Sequence, residues 1–320
     1  VRTRGKPEER VLDWINLLTP LAASAVIAAI PLMLAALGEL VTEKSGVLNL
    51  GVEGMMLMGA IGAFAVTVQT GSLWLGVLAG IAAGVAMSAV FAWLTLSLMA
   101  NQVATGLALT LFGIGLSAYV GRPYTDATIP MLRDMPIPGL SSIPVLGPSV
   151  FSLNPLGYFA VLLLVAIAWF LYRTRAGLVL RSIGEAPSVA HAIGYPVVRI
   201  RYLATLFGGA MSGLAGAYYS VGYLRLWQEN LTAGRGWIAL ALVVFATWRP
   251  GRTVLGALLF GVVMALQFQA QAMGIRIPSQ ALASLPYLAT IVVLVIISRN
   301  RQTIRLNAPA SLGKPFFAGS

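Results

Sequence analysis

Four stretches, residues 17–37, 73–99, 202–222 and 253–273, each stay apolar for about the 20 residues that a helix needs to cross roughly 30 Å of hydrocarbon. They read as helices, because barrel strands would alternate polar and apolar residues with period two. Composition agrees: 58% of residues are hydrophobic and 10% charged, whereas a soluble domain is about a quarter charged. The expected fold class is an all-α integral membrane protein, one transmembrane domain over residues 1–320. The apolar segment after the basic stretch Val1–Arg10 has no small-residue cleavage pattern and reads as a retained first helix.

The formal net charge of +11 does not point to nucleic acid, because the basic residues sit at the ends of apolar runs and lack interleaved aromatics. Of 21 Lys and Arg, four fall in 1–10, five in 173–201, two in Trp248–Arg252 and four in 299–320. The bias of Lys and Arg toward cytoplasmic loops puts these clusters, and both termini, on the inner side. If 1–10 and 173–201 share a side, an even number of crossings separates them. The evident helices between them, 17–37, 55–70, 73–99, 103–121 and 156–172, number five, so one more crossing is expected.

Residues 38–54 fit best, since 122–155 holds seven prolines and reads as an outer loop. The stretch Gly38–Met56 carries three glutamates, a lysine, an asparagine and four glycines. It is expected to be a helix broken at Ser45-Gly46, its freed backbone facing protein or a water-filled cavity; a surface loop with one terminus misplaced is the alternative. Beyond the inner segment, helices near 202–222, 236–248, 253–273 and 281–298 bring the total to about ten. The thirteen residues 236–248 are too short to span and, after Asn230–Gly236, read as a second broken element near 230–248.

Ionisable and amide side chains at membrane depth are functional by default. The candidates are Asn49, Glu53, Gln102, Thr105, Asn230, Arg235 and Gln267. Glu53 and Arg235 suit either a solute pathway or a structural pair. Gln267 and Gln271 share a helix face and suit either a polar lining or interhelical hydrogen bonds. Glycines at 76, 80 and 84, and at 209, 213 and 216, are expected to let helices approach closely. In the cytoplasmic segment 173–201, start and stop signals predict a short helix from Pro187 to Gly194 that could receive force from a soluble partner.

Chemistry of other kinds finds no residues. The chain has no G-x-x-x-x-G-K-[ST] phosphate loop, one histidine and no cysteine, so neither an ATPase site, a zinc site nor a disulfide is expected.

Several phrases together resemble the permeases of ABC-type nucleoside and simple-sugar importers. They are Gly38-Glu39-x-x-x-Glu43-x-Ser45-Gly46-Val47-Leu48-Asn49-Leu50-Gly51-x-Glu53-Gly54-Met55-Met56, Asn101-Gln102-Val103-Ala104-x-Gly106, Gly177-Leu178-x-Leu180-Arg181-Ser182-x-Gly184-Glu185-x-Pro187, and Thr232–Ala241. The chain is most similar to the shorter of two paired permeases that work with a basic-membrane-protein-type lipoprotein for purine nucleosides. The resemblance implies an ABC importer permease fold in the bacterial cytoplasmic membrane and no cofactor in this chain. It also implies partners: a cytoplasmic ATPase holding ATP and Mg, a homologous second permease, and an extracytoplasmic substrate-binding lipoprotein. Glu185, Ala186, Pro187, Ala190 and Gly194 would form the ATPase-coupling helix, with Pro187 where the family has a second alanine, and the broken elements would line the path. Permeases for simple sugars or branched-chain amino acids are the near alternatives. A secondary carrier using Glu53 is the distant one.

Overall fold

A computed structural model describes residues 7–130, 132–272, 281, 284–298 and 307–317. The described residues form helices joined by turns and loops. The helices are α1 (Pro7–Lys44), α2 (Val52–Thr70), α3 (Leu73–Ala92, continued by a π turn to Ser97), α4 (Gln102–Gly121), α5 (Leu146–Val150) and α6 (Pro155–Arg173). They continue with α7 (Arg175–Glu185), α8 (Pro187–Ala192), α9 (Val197–Ala217, with a π turn to Leu224), α10 (Arg235–Phe245), α11 (Pro250–Ala272) and α12 (Leu285–Ser298). Six spans within them are long and apolar enough to cross a membrane: 18–44, 52–70, 73–97, 102–124, 155–173 and 250–271.

The centre of the bundle is α9, packed on α1, α2 and α3. Backbones nearly touch there because the facing residues are glycines. A Cβ on Gly213 would lie 2.4 Å from the Gly80 carbonyl oxygen, and one on Gly84 would lie 2.2 Å from that of Gly209. The expectation of close approach through these two glycine rows therefore holds. Outside this core, α3, α4, α6 and α11 turn large apolar side chains outward, with Leu111 71% exposed.

The polar stretch 38–54 differs from its expectation. Residues 38–44 continue α1 without interruption, because nothing between Gly38 and Lys44 breaks a helix, and α2 begins at Val52. The stretch is therefore not an extra crossing. Five spans precede segment 173–201, and the side assigned to the N-terminus by charge alone does not follow from them. Of the basic stretch 1–10 on which that assignment rests, residues 1–6 lie outside the described residues. The expected break is present: residues 45–51 are non-helical and mostly buried. It starts level with Arg201 near the base of α9, whose guanidinium bonds the Ser45 carbonyl, while the Met56 carbonyl lies against Gly216. At 1.5 Å per residue along α9, this separation is roughly 22 Å. The non-helical backbone and the first turn of α2 cover this distance together.

The second broken element is also present. Residues 225–234 form no regular helix, α10 is eleven residues long, and Thr247 and Trp248 after it take left-handed φ of +49° and +53°. In the segment read as cytoplasmic, α8 matches the expected short helix, and Gly194 takes φ +95° just beyond it. The amphipathic helix α7 was not anticipated. Thr174 caps it, its hydroxyl accepting from the Gly177 N–H at 3.0 Å.

Candidate functional site: two broken elements joined at Glu53

Buried backbone that leaves a helix must find other partners, and the 45–51 break finds them residue by residue. The Ser45 carbonyl accepts from Arg201 Nε (3.1 Å) and the Gly46 carbonyl from the Gly313 N–H (3.2 Å). Gln102 Oε1 accepts from the Leu48 N–H (2.8 Å), and Glu39 Oε1 from that of Asn49 (3.0 Å). The Thr110 hydroxyl donates to the Leu50 carbonyl at 3.0 Å, and Asn49 Oδ1 accepts from the Gly51 N–H at 2.9 Å. Five side chains drawn from α1, α4, α9 and the break itself hold it open in a defined shape.

At the far end of the break stands Glu53, 2% exposed and in the first turn of α2. Its carboxylate receives the N-terminus of α10. Oε1 accepts from the Thr232 hydroxyl (2.6 Å) and the Gly234 N–H (2.8 Å), and Oε2 from the Gly236 N–H (2.5 Å). A helix N-terminus presents unpaired N–H groups and a positive dipole end, so an ionised acid from another helix is a fitting cap. Gly236 is required by this approach, since a Cβ there would sit 2.6 Å from the Glu53 Cα. The other end of α10 meets a second acid of α1: Trp248 Nε1 donates to Glu43. The half-helix is thus suspended between Glu53 and Glu43.

Arg235 turns away from Glu53. Its Nη1 donates to the Thr232 carbonyl at 2.9 Å, and its guanidinium lies 4.7 Å over the ring of Tyr219. Its Nε is buried with no hydrogen-bond partner. Glu53 and Arg235 therefore meet at one junction, each bound to other groups. Of the remaining candidates, Asn49 and Gln102 serve the break, Thr105 is half-buried one turn along α4, and Asn230 is exposed with φ +54°. Gln267 is half-buried on α11. Glu39, Glu43, Thr110, Arg201, Tyr219, Thr232 and Trp248 were not singled out as site residues. Glu39 and Glu43 carried a usable signal, two acids one turn apart in an apolar helix, but the partner of Glu43 lies 205 residues off in sequence.

At the opposite end from loop 122–154, Glu185 is exposed and its Oε2 accepts from the Ala310 N–H at 3.4 Å. Ala186 and Pro187 are half-buried, Ala190 is buried, and 191–196 are exposed, so α8 and the turn after it present a free surface. A cleft of about 1130 Å³ runs between α7–α8 and Arg249–Arg252.

A bundle of helices long enough to cross a membrane, with a buried non-helical break and one half-helix joined at Glu53, and a pair of short helices exposed at one end, defines a membrane transport subunit. Residues 21–298 match the family described as the permease component of branched-chain amino acid transport systems. The chain belongs to this family and is a permease component of an ABC transporter, a transport subunit rather than a catalytic one. It is 42% identical to TsgC13 of Haloferax volcanii, named a candidate glucose ABC transporter permease, covering 90% of this chain and 94% of that protein. It is 32% identical to the guanosine ABC transporter permease NupQ of Bacillus subtilis (96% and 99% covered). It is also 32% identical to the nucleoside ABC transporter permease NupC of Lactococcus lactis (89% and 94% covered).

Proposed function

We propose that this chain is one of two homologous permease subunits of an ATP-driven importer for nucleosides, in the cytoplasmic membrane of a bacterial cell. The observation that carries the reading is the suspended half-helix: α10 is held by side-chain contacts at both ends, so it can shift as a unit when either glutamate moves. The solute path runs along the junction of the two broken elements, past Asn49, Glu53, Gln102, Thr105, Asn230 and Arg235, with Gln267 farther along. The nucleoside assignment takes its support from two relatives named for guanosine and nucleosides. Free glucose-like sugars are the second reading, favoured by the 42% identity to TsgC13. Both solutes present a polyhydroxylated ring.

The partners are a cytoplasmic ATPase that holds ATP and Mg, a sibling permease against one of the exposed apolar faces, and an extracytoplasmic substrate-binding lipoprotein. The ATPase docks on Glu185, Ala186, Pro187, Ala190 and Gly194, in keeping with the exposed turn after α8 and the basic residues around it. Segments 174–196 and 307–317 then face the cytoplasm, and loop 122–154 faces outward.

The test is uptake of radiolabelled guanosine and glucose by proteoliposomes holding the complex captured through this chain. ATP-dependent guanosine uptake is expected, with Glu185→Arg abolishing it while the helical content persists. Uptake of glucose alone would transfer the assignment to the second reading. Uptake driven by a proton gradient without ATP would overturn both.

A further inference from the structure

Segment 307–317 folds back into the bundle at a particular place. Ser311 is the centre of it: its hydroxyl accepts from Arg201 Nη2 at 3.0 Å and donates to the Gly184 carbonyl of α7 at 2.7 Å. The Ser311 N–H donates to the same carbonyl at 3.0 Å, and the Gly313 N–H to the Gly46 carbonyl at 3.2 Å. Arg201, 1% exposed, completes the figure with bonds to the Ser45 carbonyl (3.1 Å) and the Lys314 carbonyl (3.3 Å). Phe316 closes the site from α8, packed edge-on to His191 at 5.6 Å between ring centres and buried with Ile183, Ala190 and Val197. The Lys44 ammonium holds the start of the segment through the Asn307 carbonyl at 2.8 Å.

These contacts join three bodies: the helix pair α7–α8, the base of α9 and the 45–51 break. The join has no slack, since Gly46 takes φ +91° and a Cβ there would lie 2.4 Å from Ser311 Oγ and 2.7 Å from Arg201 Nη2. From the break the path is short, because the same seven residues end two residues before Glu53, which caps α10.

The geometry points to Arg201 and Ser311 as positioning residues for transport, clamping α7–α8 to the break so that displacement of α7–α8 reaches Glu53 and α10. This rests on α7–α8 being the ATPase docking site. A serine suits the role because one hydroxyl can accept from the guanidinium and donate to the carbonyl together, and threonine preserves that pair of bonds. Alanine leaves a buried guanidinium N–H without a partner and removes the hydroxyl's bond to the Gly184 carbonyl, so that only the backbone N–H still ties the segment to α7.

The experiment uses the complex captured through this chain, reconstituted with ATP, and reads three quantities: ATPase retained, ATP hydrolysed and guanosine or glucose taken up. With Ser311→Ala the ATPase is expected to stay bound and hydrolysis to persist, while uptake falls about tenfold or more; Ser311→Thr restores uptake. Wild-type uptake by Ser311→Ala, with the ATPase bound, overturns the clamp alone. An ATPase that still binds Glu185→Arg overturns the docking reading and the clamp with it. A second variant does not depend on the alanine protein being folded. Gly313 takes φ +73°, so a cysteine there is strained, yet its Cβ would lie 3.9 Å from that of Leu48, within reach of a disulfide; the reduced double variant is the reference, and the chain has no cysteine of its own. Uptake that survives oxidation of Leu48→Cys/Gly313→Cys is expected of parts that move together. Uptake lost on oxidation and recovered on reduction would show that they must separate, and the clamp would be refuted.

Discussion

Glu53 is a single side chain doing what a serine or aspartate does at an ordinary helix start, except that it reaches α10 from another helix. All three of its hydrogen bonds come from donors, so a neutral amide there would set its own N–H groups against backbone N–H groups. Glu53→Gln is therefore expected to lose a charged hydrogen bond, about 1.5–3 kcal/mol. Thermal unfolding of the detergent-purified protein would register this as a fall of roughly 4 °C, given the shift per kcal/mol of a chain this size. A melting curve superimposable on the wild type would show that the α10 cap contributes nothing. Asn49 and Gln102 were visible in the sequence as polar groups among apolar ones, and both are buried. What the sequence withheld was their task, because the N–H each one satisfies belongs to backbone whose departure from the helix only the folded chain reveals.

Among elements, α3 and α9 offer the sharpest contrast in what a methyl group does. At Gly213 an added Cβ meets the Gly80 carbonyl at 2.4 Å, whereas at Gly115 nothing lies within 4 Å. Gly213→Ala is expected to force the helices apart and cost about 1–3 kcal/mol. Gly115→Ala is expected to stabilise α4 by about 0.5–1 kcal/mol through its helix propensity. Comparing the two unfolding temperatures decides it; equal and small effects would mean that the α3–α9 contact can relax. The spacing of these glycines was legible in advance, as was the short helix at Pro187, since both are local patterns. Helix α1 was misjudged beyond residue 37. Two glutamates and a lysine there look like the end of a span, and while Glu39 meets Asn49 only ten residues on, Glu43 and Lys44 depend on Trp248 and Asn307, contacts no window of sequence contains.

For the whole molecule, α6 is one uninterrupted span of 19 residues, which sets loop 122–154 and segment 174–196 at opposite faces. Because the chain has no cysteine, single ones report cleanly. A thiol reagent that cannot cross the membrane is expected to label Ser142→Cys in intact spheroplasts and Ser188→Cys only after lysis. Labelling of both from outside would reverse the assigned orientation. The transmembrane class was plain from composition, while the mutual arrangement of the spans was not, since apolar faces against lipid and against protein are chemically alike. The Glu53 cap also bears on biogenesis. Its partner Thr232 lies 179 residues downstream, so at 5–20 residues per second the carboxylate waits roughly 9–36 s for its donors. Until then α2 carries an unshielded acid that lipid rejects, and the helix is best kept beside the watery channel of the insertion machinery. Release of α2 into the bilayer is then expected to await the synthesis of α10, so the residue that caps the half-helix would also influence the order of assembly.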